Sequence, residues 1–240
     1  MSVRFEELGW QRTEMGEISL RRRFDPTVRT DVFEVKLDDE FLMSSLFTVA
    51  EQALATTGLA RADGGELDVV VGGLGLGYTA QAALTDPRVR TLTVIEYCAA
   101  VVDWHERGLL PDVVGLLSDP RVSIRCDDFF AAAASPVGFD PHLPGRSYDA
   151  VLLDIDHSPR HVLHSPHGDF YTPSGLRALA TRLLPGGVFA MWSDDAPDQE
   201  FLDALDSVFV DVDAERVYFD NPLTRGKSSA TIYLASRPRC

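Results

Sequence analysis

The fold of this chain is decided by one stretch, Leu67-Asp68-Val69-Val70-Val71-Gly72-Gly73-Leu74-Gly75-Leu76-Gly77-Tyr78-Thr79. Its apolar run Val69 to Val71 is not interrupted by polar residues, which indicates a strand that is buried on both faces. Four glycines follow within six residues, and Tyr78 to Leu84 has the composition of a helix. A strand, a glycine turn and a helix open a doubly wound α/β domain. The glycines allow a sharp turn and a close approach to a ligand at the positive end of the helix.

A second apolar strand, Thr91 to Ile95, follows the glycine stretch and ends at Glu96. An acidic residue at the tip of the second strand, about 20 residues after the glycines, is placed to accept hydrogen bonds from a ribose diol. A surface glutamate at a strand end is the alternative interpretation. The glycine loop in register before it favours the ribose role.

The composition indicates a folded globular protein. The chain has 240 residues, of which 45% are hydrophobic and 25% are charged, so one domain with an appendage is expected. No apolar run is long enough to cross a bilayer, and Met1 to Arg23 is too charged for a signal peptide, which predicts a cytoplasmic protein without a membrane partner. Cys98, Cys126 and Cys240 lack metal-type spacing and are expected to be reduced.

The net charge of −15 argues against nucleic-acid partners, because phosphates are repelled by such a field. An acidic protein can instead attract a small cationic substrate. This charge is permissive rather than decisive, since many cytoplasmic proteins are acidic.

The N-terminal residues 1–42 are predicted to form a separate β-hairpin element. Ile18 to Arg21 and Val32 to Leu37 alternate between apolar and polar residues, and Asp25-Pro26 marks a turn. A hairpin is marginal alone, so it should pack on the main domain or on a second subunit, which makes a homodimer plausible. From Asp38 to Thr57 the apolar spacing predicts a helix.

Residues 43–240 show regular alternation of strands and helices. Further strands are predicted at 122–125, 148–154 and 188–192, and helices at about 99–108, 174–184 and 199–209. Two last strands, 215–219 and 229–234, form an antiparallel pair. The pattern predicts an α/β protein with a Rossmann-like, seven-stranded class I methyltransferase fold, preceded by the short N-terminal β-hairpin element.

Acidic residues follow most of the predicted strands, at the edge of the sheet where open α/β proteins bind ligands. The strand ends carry Gly73, Gly75 and Gly77, then Glu96, then Asp127-Asp128-Phe129, then Asp154-Ile155-Asp156-His157, and finally Ser193-Asp194-Asp195. Asp127 is a candidate to accept a hydrogen bond from an adenine amino group, with Phe129 against the ring. The alternative is that the Asp before Phe129 caps a helix.

Several short motifs match one known family. They are Asp39-Glu40-Phe41, Val71-Gly72-Gly73-Leu74-Gly75-Leu76-Gly77, Val94-Ile95-Glu96, Asp119-Pro120-Arg121-Val122, Cys126-Asp127-Asp128-Phe129, Tyr148-Asp149-Ala150-Val151-Leu152-Leu153-Asp154, Phe170-Tyr171 and Leu184-Pro185-Gly186-Gly187. In these motifs the run from Asp38 to about Phe209 resembles the spermidine synthase family of aminopropyltransferases. That family transfers an aminopropyl group from decarboxylated S-adenosylmethionine to putrescine or a related amine.

The resemblance implies roles for individual residues. Glu96 would bind the ribose and Asp127 the adenine, beside Asp128, Phe129 and the glycines of the loop. Asp154 would receive the proton of the amine, with Asp156 near the acceptor. A carboxylate suits this step, because an ammonium cannot attack until it loses a proton.

The chain departs from the family pattern at the glycine loop. The family's Asp that holds the aminopropyl ammonium falls on Gly75, and its substrate-facing Tyr and Glu are replaced near Met43 and Ser45. Gly73-Leu74-Gly75-Leu76-Gly77 is closer to the Gly-x-Gly-x-Gly of methyltransferases. The cofactor is therefore expected to be S-adenosylmethionine or its decarboxylated form. The leading hypothesis is an aminopropyl-type transferase acting on a small cationic amine; the alternatives are a small-molecule methyltransferase and a non-catalytic nucleoside-binding homologue.

Four histidines fall in one segment: His157, His161, His164 and His167. Their spacing would place three on one helical face, but Pro159 and Pro166 disfavour a regular helix. A mobile loop over the site, with a histidine as proton carrier, is favoured over a metal site or a plain surface loop, and no metal is predicted.

Overall fold

The computed structural model describes residues 5–239; the first four residues of the predicted N-terminal element and Cys240 lie outside this range. The strands are β1 (Phe5–Thr13), β2 (Gly16–Asp25), β3 (Thr30–Leu37), β4 (Glu40–Ser44), β5 (Leu67–Gly72), β6 (Val89–Glu96), β7 (Val122–Cys126), β8 (Tyr148–Leu153), β9 (Leu183–Ser193), β10 (Phe209–Asn221) and β11 (Gly226–Pro238). The helices are α1 (Val49–Ala60), α2 (Tyr78–Leu84), α3 (Ala99–Glu106), α4 (Phe129–Ala134), α5 (Pro173–Ala180) and α6 (Gln199–Asp206).

A seven-stranded sheet forms the centre of the molecule, in the order β10-β11-β9-β8-β5-β6-β7. The five strands β5, β6, β7, β8 and β9 run parallel to one another. β11 pairs antiparallel with both β9 and β10. The predicted fold class is confirmed. Chain order reverses between β5 and β8, so the carboxyl ends of these two strands border the crevice where such sheets bind ligands.

The strand of the glycine stretch is buried on both faces, as its composition predicts. Val69 and Val71 belong to the apolar cluster on one side of the sheet, whereas Val70 belongs to the cluster on the other side. Successive side chains of a strand point to opposite faces, so a strand covered by helices on both faces must be continuously apolar.

The N-terminal element is larger than the predicted hairpin. β1 to β4 form a four-stranded antiparallel sheet, and its buried Leu20 and Val35 join the same apolar cluster as Val69 and Val71. The sheet therefore packs on the main domain. This packing stabilises a small sheet that would be only marginally stable alone.

The predicted helix from Asp38 to Thr57 is wrong in its first half. Residues Glu40–Ser44 form β4, which pairs with β3, and α1 begins only at Val49. Phe41 does not belong to a helical stripe: its ring is 55% exposed and lies 4.6 Å from the Arg21 guanidinium carbon. Short apolar runs do not distinguish a strand from a helix, and pairing with β3 decides this one.

Two predicted helix ends were placed too late. α5 ends at Ala180 rather than Leu184, because Leu183 already pairs with Tyr148 at the start of β9. α6 ends at Asp206, and Phe209 opens β10. No helix among residues 5–239 is long and apolar enough to cross a membrane.

Candidate active site at the carboxyl ends of the central strands

Two neighbouring cavities lie at the carboxyl ends of β5, β6 and β8. The larger one, of about 360 Å³, is lined by six of the predicted site residues: Gly73, Gly75, Glu96, Asp128, Phe129 and Asp154. The smaller one, of about 80 Å³, is lined by Gly75, Gly77 and Asp154 among others. Gly75 and Asp154 belong to both, so the two cavities meet at these residues.

The glycine loop needs glycine because its backbone passes close to other parts of the site. Gly73 has φ +91°, and a Cβ there would lie 2.2 Å from the backbone oxygen of Asp154. Gly77 has φ +90°, and a Cβ there would lie 2.9 Å from the ring of His105. Both positions combine a left-handed backbone with contact too close for a side chain.

Glu96 is held at the tip of β6 by backbone donors. Leu74 N–H donates to Glu96 Oε2 at 2.9 Å, and Cys98 N–H donates to Oε1 at 2.7 Å. Burial raises the pKa of the Glu96 carboxyl, and these backbone donors counteract the shift. Each carboxylate oxygen has a second lone pair, so the group can still accept from a ligand hydroxyl in the larger cavity.

The three residues after β7 have different environments. Asp127 does not line either cavity; its carboxylate accepts hydrogen bonds from Arg125 and from the Asp128 N–H. Asp128 caps α4, accepting from Phe130 N–H at 2.8 Å and Ala131 N–H at 3.0 Å. The capping alternative thus describes Asp128, while the adenine role of Asp127 stays a prediction.

Phe129 borders the larger cavity mainly as part of the core. It is 1% exposed and stacks on Phe139 with ring centroids 5.2 Å apart. The neighbouring Phe130 also lines the cavity, where it stacks on His167 at 3.9 Å. Phe130 stands in no recognisable sequence motif. It lies one position after Phe129 in α4 and therefore faces another side of the helix.

Asp154 lies where the two cavities meet and is partly buried. Thr79 Oγ1, from the first turn of α2, donates to Asp154 Oδ2 at 2.6 Å. Burial raises the pKa of Asp154 to about 6, and the Thr79 hydrogen bond opposes that shift. A carboxyl with a pKa near neutrality is well suited to accept a proton.

A second carboxyl, Glu51 of α1, lines the smaller cavity with Asp154. Burial and the negative charge of Asp154 together raise the pKa of Glu51 to about 8. Thr79 connects the two residues, because its hydroxyl also lies 3.3 Å from the backbone oxygen of Glu51. Sequence reasoning missed Glu51, since a single acid in the first turn of a helix is an ordinary feature.

Asp156 is buried and organises the loop after β8. It accepts from Leu163 N–H at 2.7 Å and from the Tyr171 hydroxyl at 2.7 Å, and its carboxylate lies 2.9 Å from His167 Nδ1. It does not line either cavity. The contacts support a positioning role for Asp156, and the role near the acceptor stays a prediction.

The four histidines of this loop do not gather at one point. His161 lies 2.9 Å from Asp195 and His157 lies 3.2 Å from Glu40, while His164 and His167 line the larger cavity. Within the described residues, no group of three or more His, Cys, Asp or Glu side chains is arranged to hold a metal ion. Cys98 and Cys126 are free thiols.

Gly75, at the position of the family's ammonium-binding Asp, lies against Met43. A Cβ at Gly75 would be 2.9 Å from Met43 Sδ, and the Gly75 backbone oxygen lies 2.9 Å from His105 Nε2. The two departures noted in the sequence therefore meet in space. The thioether of Met43 occupies the side of the loop where an aspartate side chain would begin.

Comparison with curated proteins finds polyamine aminopropyltransferases. The chain is 28% identical over 127 residues to that of Bacillus subtilis, covering 53% of this chain and 41% of the relative. It is 32% identical over 146 residues to that of Corynebacterium efficiens, covering 60% of this chain and 25% of the relative. The predicted resemblance to the spermidine synthase family is confirmed. No family model matches it.

Solved structures give the same fold. Spermidine synthase from Thermotoga maritima superposes with a TM-score of 0.72 at 15% identity, covering 96% of this chain and 72% of that one. A spermidine synthase in complex with the transition state analogue AdoDATO gives a TM-score of 0.72 at 17% identity, covering 96% of this chain and 73% of the other. The chain spans less than half the length of the curated relatives named above.

Proposed function

We propose that this chain is a spermidine synthase-like transferase that moves an aminopropyl group from decarboxylated S-adenosylmethionine to a small cationic amine. The observation that carries the proposal is the meeting of the two cavities at Asp154, a partly buried carboxyl whose pKa is raised to about 6. The donor would occupy the larger cavity and the acceptor the smaller one. The sequence similarity to polyamine aminopropyltransferases supports this reaction.

The residues around the larger cavity fit an adenosyl compound. Its volume of about 360 Å³ lies in the range of small-molecule sites. Gly73 has no Cβ and so leaves space beside its backbone that a side chain would fill. Glu96 presents a carboxylate that is held by hydrogen bonds from two backbone N–H groups. We assign Glu96 to the ribose hydroxyls, Gly73, Gly75 and Gly77 to close backbone approach, and the segment Asp127-Asp128-Phe129 to the adenine side. When bound, the donor supplies an electrophilic carbon next to a sulfonium.

Asp154 would hold the acceptor and take up its proton. The amine nitrogen enters as an ammonium, which the carboxylate attracts, and must lose a proton before its lone pair can form the new C–N bond. A carboxyl with a pKa near 6 is ionised at neutral pH and is still basic enough to take part in this transfer. Asp156 would orient the loop that covers the donor through its contacts to Leu163 and His167.

Release of methylthioadenosine tests the reaction. The protein is incubated with decarboxylated S-adenosylmethionine and a panel of amines, and product formation is followed by chromatography. We expect release that depends on the amine. If methylthioadenosine is not formed with any amine, although the donor binds, aminopropyl transfer is wrong.

The contact between Gly75 and Met43 favours a second candidate, methyl transfer from intact S-adenosylmethionine. Family members hold the aminopropyl ammonium with an Asp that this chain lacks, and a thioether stands at that side of the loop. Calorimetric titration with the intact and the decarboxylated compound separates the two functions. Tighter binding of the decarboxylated form supports aminopropyl transfer, and tighter binding of the intact form supports methyl transfer.

The N-terminal sheet supports a homodimer as part of the proposal. Its edge strand β1 exposes Phe5 and Trp10 by 54% and 53%. Exposed aromatic side chains on an edge strand are typical of a surface that pairs with another chain. Light scattering coupled to size-exclusion chromatography measures the mass; a mass of 26 kDa at micromolar concentration would contradict the dimer.

A further inference from the structure

The ring of His167 is held on two sides at the wall of the larger cavity. One face stacks on Phe130, with ring centroids 3.9 Å apart. Nδ1 lies 2.9 Å from a carboxylate oxygen of Asp156, whose side chain is fully buried and does not line the cavity. The side chain of His167 itself is 12% exposed and does line it. The orientation of the imidazole is therefore fixed before any ligand enters.

Asp156 determines which nitrogen of this ring carries a proton. Its carboxylate accepts hydrogen bonds from Leu163 N–H at 2.7 Å and from the Tyr171 hydroxyl at 2.7 Å, so it is an acceptor toward both neighbours. A carboxylate acceptor at Nδ1 of His167 requires a proton on that nitrogen, and the neutral ring then has its lone pair on Nε2. The buried acid thus makes the other nitrogen of His167 a hydrogen-bond acceptor.

The Nε2 atom of His167 is open to the larger cavity. It forms no hydrogen bond within residues 5–239, and it is not among the buried side-chain atoms of that range that lack a partner, so it is accessible. Because Nδ1 faces Asp156 and Phe130 covers one face of the ring, Nε2 is the polar atom that a ligand in the cavity can reach. An acceptor with a fixed direction selects a ligand that presents an N–H or O–H group there.

His167 borders the part of the cavity that the proposed function gives to the base of the donor. Its stacking partner Phe130 lies in the first turn of α4, directly after the segment 127–129 that is assigned to the adenine side. Gly75 and Asp154 lie where the two cavities meet, which is the place of the reacting group. The ligand group that faces His167 is therefore an edge of the base.

The exocyclic amino group of adenine has two N–H bonds to donate. Asp127, the predicted acceptor for this group, does not line the cavity, and its carboxylate is bound by Arg125. Asp128 does line it; its Oδ1 accepts the two capping bonds of α4, which leaves Oδ2 for a ligand. Asp128 and His167 can thus accept one N–H each.

We infer that His167 Nε2 accepts a hydrogen bond from the exocyclic amino group of the donor's adenine, and that Asp156 is a positioning residue that keeps the lone pair on this atom. The site then selects a 6-aminopurine over a 6-oxopurine, since a carbonyl oxygen would face the lone pair of Nε2 without a proton between them. The inference rests on the proposed function, because it specifies how the same donor is recognised.

A matched pair of ligands tests the selection. Methylthioadenosine and 5′-methylthioinosine share the ribose and the thioether and differ in the base, which carries an amino group in one and an oxo group in the other. Each is titrated calorimetrically at pH 8.5, about two units above the ordinary pKa of an imidazole. We expect the wild type to bind methylthioadenosine at least about tenfold more tightly. Equal affinity for the two ligands would overturn the inference.

Substitutions of His167 assign the selection to its ring nitrogen. His167→Phe keeps an aromatic ring against Phe130 but has no lone pair, and should reduce the preference for methylthioadenosine about fivefold or more. His167→Gln presents an amide oxygen and should recover part of the preference. His161→Phe is the matched control, because this histidine of the same loop lies beside Asp195 and does not line the cavity. The wild-type preference in His167→Phe would exclude His167 from base recognition.

Asp156→Asn tests the positioning role. An amide can donate to Nδ1 of His167, which would move the ring proton to Nε2 and turn the acceptor into a donor. We expect the variant to lose preference mainly because methylthioinosine binds more tightly than to the wild type. A purely structural role of Asp156 would weaken both ligands by the same factor, and that result would contradict the positioning role.

These experiments separate failure of the inference from failure of the proposed function. If the protein binds neither methylthioadenosine nor S-adenosylmethionine, the proposed function fails before the base is tested. If methylthioadenosine binds and its preference is lost in Asp127→Asn but kept in His167→Phe, the amino group is bound by Asp127 and the inference alone is wrong. Thermal unfolding verifies that each variant is folded; if His167→Phe is not, His167→Gln and Asp156→Asn carry the test.

Discussion

The two cavities of this molecule are built in different ways. The larger one is shaped by backbone: glycines with left-handed φ lie along one wall, and Glu96 is fixed by the N–H groups of Leu74 and Cys98. The smaller one is shaped by side chains from separate elements, with Glu51 from α1, Asp154 from the end of β8 and Trp192 from β9. A backbone site is specified by a short local motif, whereas a side-chain site depends on how distant elements pack. This explains why the glycine loop and Glu96 could be identified from the sequence, whereas Glu51 could not.

The largest expected effect separates chemistry from donor binding. Asp154→Asn should lower the rate of methylthioadenosine release by about 100- to 10,000-fold, because an amide cannot take up the amine's proton. Binding of methylthioadenosine itself, measured by calorimetry, should stay within about threefold, since Thr79 can still donate to the amide oxygen. Turnover close to that of the wild type would show that proton transfer occurs elsewhere.

Substitution of Glu96, the acid held by backbone N–H groups, should instead weaken binding of the donor. Glu96→Gln should weaken binding of adenosyl compounds by about 10- to 150-fold, the range expected when a charge-assisted hydrogen bond is lost. The new amide nitrogen would also face the N–H of Leu74 or Cys98. Equilibrium titration with methylthioadenosine measures the effect, and Glu66→Gln is the matched surface control. Unchanged affinity would contradict the ribose assignment.

The two carboxyls of the smaller cavity should make the free energy of unfolding depend on pH. Both carboxyls have a pKa raised above that of the unfolded chain, to about 8 for Glu51 and about 6 for Asp154. The folded state therefore binds more protons than the unfolded state in this window, and the free energy of unfolding falls as pH rises from about 5 to about 8.

Glu51→Gln removes the larger part of this dependence. We expect the variant to be more stable than the wild type at pH 8.5 by roughly 1 to 3 kcal/mol and equal to it at pH 5, where Glu51 is already neutral. Urea unfolding at the two pH values measures the difference. A stabilisation that is the same at both pH values would argue against a raised pKa at Glu51.

The smallest expected effect concerns the border between the cavities. Gly75→Asp alone introduces a Cβ 2.9 Å from Met43 Sδ, so the side chain of Met43 must move. Combined with Met43→Ala, the new carboxylate has room to meet the aminopropyl ammonium. We expect the double variant to improve the preference for decarboxylated over intact S-adenosylmethionine by about tenfold. Calorimetric titration of both compounds, with Met43→Ala alone as control, measures the change.

Much of the fold could be predicted from local patterns. The strand before the glycines, the strand that ends at Glu96 and the closing antiparallel pair were all identified, because burial on two faces leaves a continuous apolar run. The helix predicted from Asp38 failed where β4 pairs with β3, since pairing partners are not visible in a short window.

The candidate site could likewise be predicted only in part. Six of the nine predicted site residues line the larger cavity, because the ends of parallel strands meet at one edge of a sheet. Asp127 and Asp156 do not line it, because Arg125 binds one carboxylate and the loop after β8 encloses the other. Glu51 and Phe130 were missed, as neither stands in a recognisable motif.

The sequence by itself determined the sheet, the position of the glycine loop and the acids that follow most of the central strands. These features depend on backbone conformation and on alternation of side chains, both of which are local. Only the tertiary structure decided that Glu51 joins Asp154, that Met43 lies against Gly75 and that Trp192 borders the same small cavity. The physical reason is that the pKa of a buried acid and the shape of a side-chain cavity are set by neighbours distant in the chain.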